Sequence, residues 1–545
     1  MRLQGKPSTP DSLVLTVPRE ALFFDGYLPE WKIRTRLERT CRTSSELKAY
    51  FLAHPTVVPK PKCFGSSAHR QVPLFPESTG FSKGTRLPPP AFAVQAVLET
   101  LRRSDRYGPI TELVPGEADP FCAEFARKHA CVVLTSDSDL LVFDLGPDGG
   151  VVFFKDMEEC SADESRYLTA QEYQPAKISE TLGLPAEPGL STLAFELSME
   201  PHRALKALLS RARSGMANMK DADSYEEFMA RYPRLPPERP SSTSAPLSGG
   251  LSSLDSRVSE LVLQCLQPAL QHDIGHGGGY GVPDPNAPRV QMFLPQLLDS
   301  WTRVNAWETS MLVRETAYCL VQLVSRRRIS MVAEYARVVS TSSSGKSVEV
   351  PPLLHGEERC GAILALVHRV KRRLQDPDLV WIFLSMYWDV EWSKTTGKDS
   401  VVLELLRKET GSTGTLDPST WNAVHWYAQI QGTYYSLRIL KQVIAMARHE
   451  TVTVPQQVQD LHEALSLLPP LAGFPILGDI QNLPSRVRGA GGLQLLAELT
   501  DLQEPIEFST PNRTKRKRGG NQPRRVRHSS TPANNANPFA VLGDE

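Results

Sequence analysis

Two pairs of acidic residues enclose a short helical segment and an apolar strand, in the stretch VPGEADPFCAEFARKHACVVLTSDSD. Glu117 and Asp119 stand at the start of the helix, and Asp137 and Asp139 follow the strand. Residues two apart on a strand project to the same face, so Asp137 and Asp139 point the same way. In open parallel sheets, ligands bind at the carboxyl ends of the strands. The segment therefore predicts a carboxylate cluster at one edge of a sheet.

Strands and helices alternate over residues 13–236. ALFFD, which ends at Asp25, ACVVLTS and VVFFK are short apolar strands. Helical patterns cover residues 30–51, 92–103 and 120–129. This alternation predicts an α/β fold with a mostly parallel sheet and flanking helices.

Three further regions follow that first domain, residues 1–236. The Pro, Ser and Gly content of residues 237–289 predicts a flexible linker. Residues 290–507 have helical periodicity and predict a mainly α-helical domain. Residues 508–545 are polar and basic, which predicts a disordered basic tail.

Composition excludes some classes of protein. The 61 Lys and Arg balance the 61 Asp and Glu, so only the local distribution of charge can argue for nucleic-acid binding. The apolar runs are far shorter than the ~20 residues of a membrane span. The first residues lack the apolar core of a secretory signal. We therefore expect neither membrane insertion nor secretion.

Asp25 ends the ALFFD strand and adds a fifth carboxylate to the same sheet edge. Like charges this close repel, and a divalent cation removes the conflict. Mg²⁺ prefers oxygen ligands, and two such ions ~3.5–4 Å apart can activate water and stabilise the leaving oxygen of a phosphodiester. The alternative is that Glu117 or Asp119 simply caps its helix and interacts with the helix dipole.

Two basic residues share one face of the helix that follows Asp25. Lys32 and Arg39 are seven residues, or about two turns, apart. Beside an acidic metal site, such a face suits a phosphate clamp, with Lys as a point charge and Arg as a fork. The alternative is an ordinary solvated basic face.

Together these motifs match a known pattern. FDG followed by a basic helix, then GEAD, then TSDSD, resembles the flap endonuclease/XPG superfamily of structure-specific nucleases, which have a PIN-like fold. PGEADPFCAEFARKH and VLTSDSDLLVFDLG look most similar to Asteroid-type XPG-domain proteins. The resemblance covers roughly residues 20–215. It implies a PIN-like/XPG-type domain followed by an Asteroid-type helical domain.

The resemblance also implies roles for individual residues. Lys32 and Arg39 would act on the scissile phosphate. The expected cofactor is Mg²⁺ or Mn²⁺ in a two-metal site. The implied metal ligands are Asp25, Glu117, Asp119, Asp137, Asp139 and Glu200. The family's first strand ends in a further metal-binding Asp, for which the sequence before FDG offers no counterpart. Either the sequence given lacks its N-terminal part, or the protein has lost that ligand.

The function implied is that of a Mg²⁺- or Mn²⁺-dependent endonuclease acting on branched or single-stranded nucleic acid, DNA rather than RNA. The alternative is an inactive nucleic-acid- or protein-binding scaffold that keeps the fold. The basic tail predicts either nuclear import or a nonspecific nucleic-acid tether, so we expect a nuclear protein, otherwise a cytoplasmic one. The helical domain and the tail are the expected places for a protein partner.

Overall fold

A computed structural model describes most of the chain up to residue 502, and residues 1–506 group into one compact unit. The predicted tail, residues 508–545, lies outside the described residues. The described residues are 2–4, 21–27, 32–58, 87–162, 165–214, 222–236, 250–266, 289–325, 328–408, 415–449 and 453–502.

Six strands of the first half form two separate sheets. They are β1 (Arg2–Gln4), β2 (Leu22–Asp25), β3 (Thr111–Val114), β4 (Val132–Thr135), β5 (Gly150–Ala162) and β6 (Ser165–Tyr173). One sheet holds β2 and β3 in parallel, and the other has the order β1-β6-β5-β4. In the second sheet, β4 and β5 run parallel, while β6 is antiparallel to both of its neighbours.

The α/β class is confirmed, whereas the expectation of a single, mostly parallel sheet is wrong for the described residues. The reason is local: β6 follows β5 closely in the sequence and pairs with it as an antiparallel hairpin. A tight antiparallel return needs only a short loop, whereas a parallel return requires a crossover of a dozen or more residues.

The first three of the seven described helices of this half begin and end close to the predicted bounds 30–51, 92–103 and 120–129, and no bounds were predicted for the other four. The seven helices are α1 (Ile33–Ala53), α2 (Ala93–Arg103), α3 (Asp119–His129), α4 (Pro175–Thr181), α5 (Leu190–Met199), α6 (Leu205–Arg213) and α7 (Ala222–Met229). In α3, Pro120 occupies the first turn, where its missing N–H costs nothing. Ala130 ends the helix in a left-handed conformation with φ of 49°.

The second half is mainly helical, as predicted, and it also contains a sheet that the sequence did not predict. The strands are β7 (Arg289–Phe293), β8 (Met331–Tyr335) and β9 (Lys346–Glu349). The helices are α8 (Ser256–Leu266), α9 (Met311–Ser325), α10 (Leu353–Arg373), α11 (Pro377–Thr396), α12 (Val401–Lys408), α13 (Trp421–His449), α14 (Gln456–Leu465), α15 (Leu483–Gly489) and α16 (Gly492–Leu499). Helix α13 is buried along most of its length.

Residues 237–289 were predicted to be a flexible linker, but α8 (Ser256–Leu266) lies within this range. Val258, Leu261 and Val262 in this helix are almost fully buried, so the segment belongs to the core. Its Ser- and Pro-rich surroundings obscured a short amphipathic helix. No described helix is long and apolar enough to cross a membrane.

Candidate functional site

The ends of β2 and β3 meet at a glycine. Asp25, the last residue of β2, pairs with Val114, the last residue of β3. Gly26 N–H then donates to the carbonyl oxygen of Gly116 at 2.8 Å. A Cβ at position 26 would stand 2.0 Å from the carbonyl oxygen of Val114. Only glycine therefore allows the FDG turn to approach the GEAD loop this closely.

The Asp25 carboxylate fastens the end of β2 to the beginning of α3. Its Oδ1 accepts a hydrogen bond of 2.8 Å from the backbone N–H of Ala118. Ala118 lies between Glu117 and Asp119, so this bond brings Asp25 beside the first acidic pair. A carboxylate at a helix N-terminus also interacts favourably with the helix dipole.

The second acidic pair is shaped by a tight turn after β4. Asp137 N–H donates to Thr135 Oγ1 at 3.0 Å, and Asp139 N–H donates to Asp137 Oδ1 at 3.0 Å. A short 3-10 helix, Ser138–Leu141, begins there. Leu140 is buried in the apolar core, which fixes the turn while Asp137 stays exposed and Asp139 half-buried.

The pKa of the Asp119 carboxyl group is raised by burial and by neighbouring clustered acids. Burial, and then the charges of Asp137, Asp25 and Glu117, raise the pKa of Asp119 to about 7 against the opposing effect of Lys32. Like charges within reach of one carboxyl group disfavour its ionised form. The three chain segments that carry the acidic motifs therefore converge.

The charges of Asp137 and of both basic residues act on the pKa of Asp139. Burial and the neighbouring Asp137 raise the pKa of Asp139, whereas Lys32 and Arg39 lower it. Lys32 stands at the start of α1, and its Nζ lies 2.7 Å from Glu117 Oε1. Arg39 is exposed two turns further along the same helix. The arrangement places two cations against a group of five carboxylates.

Glu200 is engaged elsewhere. It follows the last residue of α5, and its carboxylate accepts hydrogen bonds from Arg203 at 2.6 Å and Arg211 at 2.7 Å. Hydrogen bonds from Arg211 and Arg203 lower the pKa of Glu200. The surroundings of Glu200 are those of an exposed ion-pair network.

The clustered acids suit a divalent cation in chemistry but do not form a finished ligand shell. Within the described ranges, no three His, Cys, Asp or Glu side chains are grouped so that they could hold a metal ion. The donors are nevertheless carboxylate oxygens, which Mg²⁺ and Mn²⁺ prefer. Burial is the main cause of the near-neutral pKa of Asp119, and the neighbouring acids add a repulsion that a cation would relieve.

Sequence reasoning missed Tyr232, which lies just beyond α7. Its ring packs against Phe143 and Phe228, with centroids 5.2 and 5.1 Å away. Burial raises the pKa of Tyr232 to about 12, and Asp139 raises it as well. No motif in the sequence marks this tyrosine, because its position near the acids depends on how the segment after α7 packs.

A second missed residue is Arg36, one turn beyond Lys32 on α1. Burial lowers the pKa of Arg36 to about 10, as does Arg257, while Glu260 and Asp25 raise it. The sequence suggested only another basic residue on a charged helix.

Comparison with known proteins gives one family. Residues 89–350 match a family model described as XPG domain containing. The matched stretch runs from before α2 to beyond β9, includes every clustered acid except Asp25, and crosses the predicted domain boundary at residue 236. The match supports an XPG-domain, nuclease-like protein, and such domains act on nucleic acids and generally use divalent metals. No curated protein and no solved structure gives a significant match.

Proposed function

We propose that this chain is an Asteroid-type XPG protein that hydrolyses phosphodiester bonds in branched or single-stranded DNA with the help of Mg²⁺ or Mn²⁺. The observation that carries the proposal is the convergence of acids from three segments on Asp119, whose pKa is raised to about 7 by burial and by Asp137, Asp25 and Glu117. A structural ion-pair network would match each carboxylate with a cation. Here Lys32 is bonded to Glu117, and the remaining excess of charge is negative.

In this proposal the metal is held by Asp25, Glu117, Asp119, Asp137 and Asp139. Once bound, a divalent cation would lower the pKa of a water molecule and neutralise charge on the phosphate. Asp25 and Asp137 each accept one backbone N–H bond, which fixes their orientation. Glu200 is the least suited of the implied metal ligands, because its carboxylate already accepts hydrogen bonds from two arginines.

The two basic residues of α1 would bind the phosphate. Lys32 is paired with Glu117 and would exchange that partner for a phosphate oxygen when Glu117 turns to a metal. Arg39 is exposed and has a planar fork of donors that matches phosphate geometry. Both cations already act on Asp139, so a phosphate bound here would meet cations on one side and the acidic cluster on the other.

The test compares cleavage of labelled flap and single-stranded DNA by the wild type and Asp137→Asn in Mn²⁺. Removing one carboxylate from the cluster should reduce cleavage at least about 100-fold. The control is Asp148→Asn, the same change on an exposed residue in a nearby turn, which should cleave like the wild type.

Two results would contradict the proposal. Equal cleavage by the wild type and Asp137→Asn would mean that the cluster is not the active site. DNA binding without cleavage by the wild type would indicate the inactive scaffold instead.

A further inference from the structure

Helix α1 has two different faces. One carries Lys32 and Arg39 and is directed to the carboxylate cluster. The other is buried by the second half of the chain: Ile33 and Leu37 form an apolar cluster with Phe293, Tyr335 and Val338, which belong to or follow β7 and β8. The helix therefore lies between the candidate site and the C-terminal region.

Arg36 lies at the border of these two faces and is bound to α8. Its Nη1 donates to both carboxylate oxygens of Glu260, at 2.7 and 2.8 Å. The side chains of Arg36 and Glu260 are only 11% and 13% exposed. The Arg36 guanidinium also lies 5.0 Å from the centre of the Phe293 ring. Removing one partner of a charge pair this well buried costs much more than breaking a surface ion pair, because the remaining charge is left buried without a partner.

The far end of α1 is held as well. Ser44 Oγ donates to Gln296 Oε1 at 3.0 Å. Phe51 packs against Trp421 with ring centroids 4.7 Å apart, and Trp421 Nε1 donates to the carbonyl oxygen of His54 at 2.6 Å. These contacts fix the axis of the helix.

The Arg36 contact fixes the rotation of α1 about its axis. Arg36 comes four residues after Lys32 and three before Arg39, so all three lie on neighbouring turns of roughly one face. A rotation of the helix would move Lys32 and Arg39 together. Glu260 resists that rotation because it holds the residue between them.

We propose that the Arg36–Glu260 pair is a positioning device by which the C-terminal region directs Lys32 and Arg39 toward the carboxylate cluster. This rests on the proposed function, since it assigns the cleaving unit to both halves of the chain. Arg36 and Glu260 would be positioning residues that do not themselves touch the phosphate. Residues 1–236 alone would lack the surface that orients their own phosphate clamp.

The test uses the full-length chain with Glu260→Gln, which keeps shape and removes charge, and Glu260→Asp, which keeps charge. The matched control is Glu38→Gln, which removes one charge from the exposed face of α1, where Glu38 pairs with Arg34 at 3.3 Å. Three quantities are measured: hydrogen–deuterium exchange of residues 33–53, binding of labelled single-stranded DNA in Ca²⁺, and kcat and KM in Mn²⁺.

We expect Glu260→Gln to exchange faster in α1, to bind DNA more weakly, and to lose about 10- to 100-fold in kcat, because small displacements of reacting groups are costly. Glu260→Asp should recover part of each loss, and Glu38→Gln should match the wild type. Faster exchange in Glu260→Gln with unchanged DNA binding and kcat would overturn the positioning role, as would wild-type exchange in that variant.

Failure of the proposed function is distinguishable from failure of this inference. A wild type that binds DNA without cleaving it would contradict the nuclease proposal only. The positioning role would then stand if Glu260→Gln weakened DNA binding and fall if it did not.

Discussion

Two groups of charged residues in this protein have acids whose pKa values shift in opposite directions. In the C-terminal region, Glu334 accepts hydrogen bonds from Arg314 Nε at 2.6 Å, Arg314 Nη2 at 2.8 Å and Tyr318 Oη at 2.6 Å. Burial raises the pKa of Glu334, but Arg314 and Tyr318 outweigh it, so the pKa falls. At the ends of β2 and β4, burial and neighbouring acids both raise the pKa of Asp119.

The difference separates structural charges from charges suited to binding. Glu334 is matched by a fixed cation, and both side chains are almost fully buried. The cluster around Asp119 is partly open to solvent and holds more carboxylates than cations. Groups with strongly shifted pKa values concentrate at functional sites. The pair at Glu334 stabilises the fold, whereas the cluster at Asp119 is unfavourable without a ligand.

The largest expected effect would come from breaking the buried pair. Arg314→Met leaves the Glu334 carboxylate buried without its cation, so the free energy of unfolding should fall by about 3–5 kcal/mol. Urea denaturation followed by circular dichroism measures the change. The double change Arg314→Met with Glu334→Leu should recover much of it, because no unpaired charge then remains.

Arg34→Gln is the control for that experiment, since Arg34 is exposed and its pair with Glu38 is a surface one. Arg34→Gln should lower the free energy of unfolding by less than about 1 kcal/mol. If Arg314→Met were no more destabilising than this control, the two groups of charges would not differ as described.

Replacing Asp119 by Asn is expected to change the free energy of unfolding by a smaller amount and in the opposite direction. The folded-state pKa of Asp119, about 7, lies above its usual value of 3.8, so the contribution of Asp119 to stability is fully present at low pH and is lost as the pH rises through 7. At pH 8 without divalent ions, Asp119→Asn should therefore raise the free energy of unfolding by about 1–3 kcal/mol. At pH 4 the two proteins should be nearly equal.

Urea denaturation of the wild type and Asp119→Asn across pH 4–8 measures this difference, with Asp148→Asn as the control on an exposed residue. A gain in stability at pH 4 as large as that at pH 8 would show that the crowding of negative charge is not its cause.

Local features of the sequence were enough to predict much of the first half. The helical patterns at residues 92–103 and 120–129 correspond to α2 and α3. The acids at the ends of β2 and β4 both act on the pKa of Asp119, although these strands lie in separate sheets and not at one sheet edge. These predictions depend on residues close together in sequence, where periodicity and turn chemistry are visible.

Features that depend on distant residues were not predictable. Arg36 and Glu260 are 224 residues apart in sequence, and nothing local links them. Strand β7 pairs with β8 across the whole of α9, so a region with helical periodicity concealed a sheet. Glu200 was assigned by resemblance alone, and its two arginine partners lie in the loop after α5 (Arg203) and in α6 (Arg211).

We propose that the acids around Asp119 bind a divalent cation, which a direct binding measurement can test. Calorimetric titration with Mn²⁺ at pH 7, in two buffers of different ionisation enthalpy, measures both affinity and proton release. We predict that the wild type and Asp148→Asn bind Mn²⁺ and release protons, because binding must ionise Asp119. Asp137→Asn should bind at least about 10-fold more weakly. Equal Mn²⁺ affinity in Asp137→Asn and the wild type, or no binding by the wild type, would show that these acids are not a divalent-cation site.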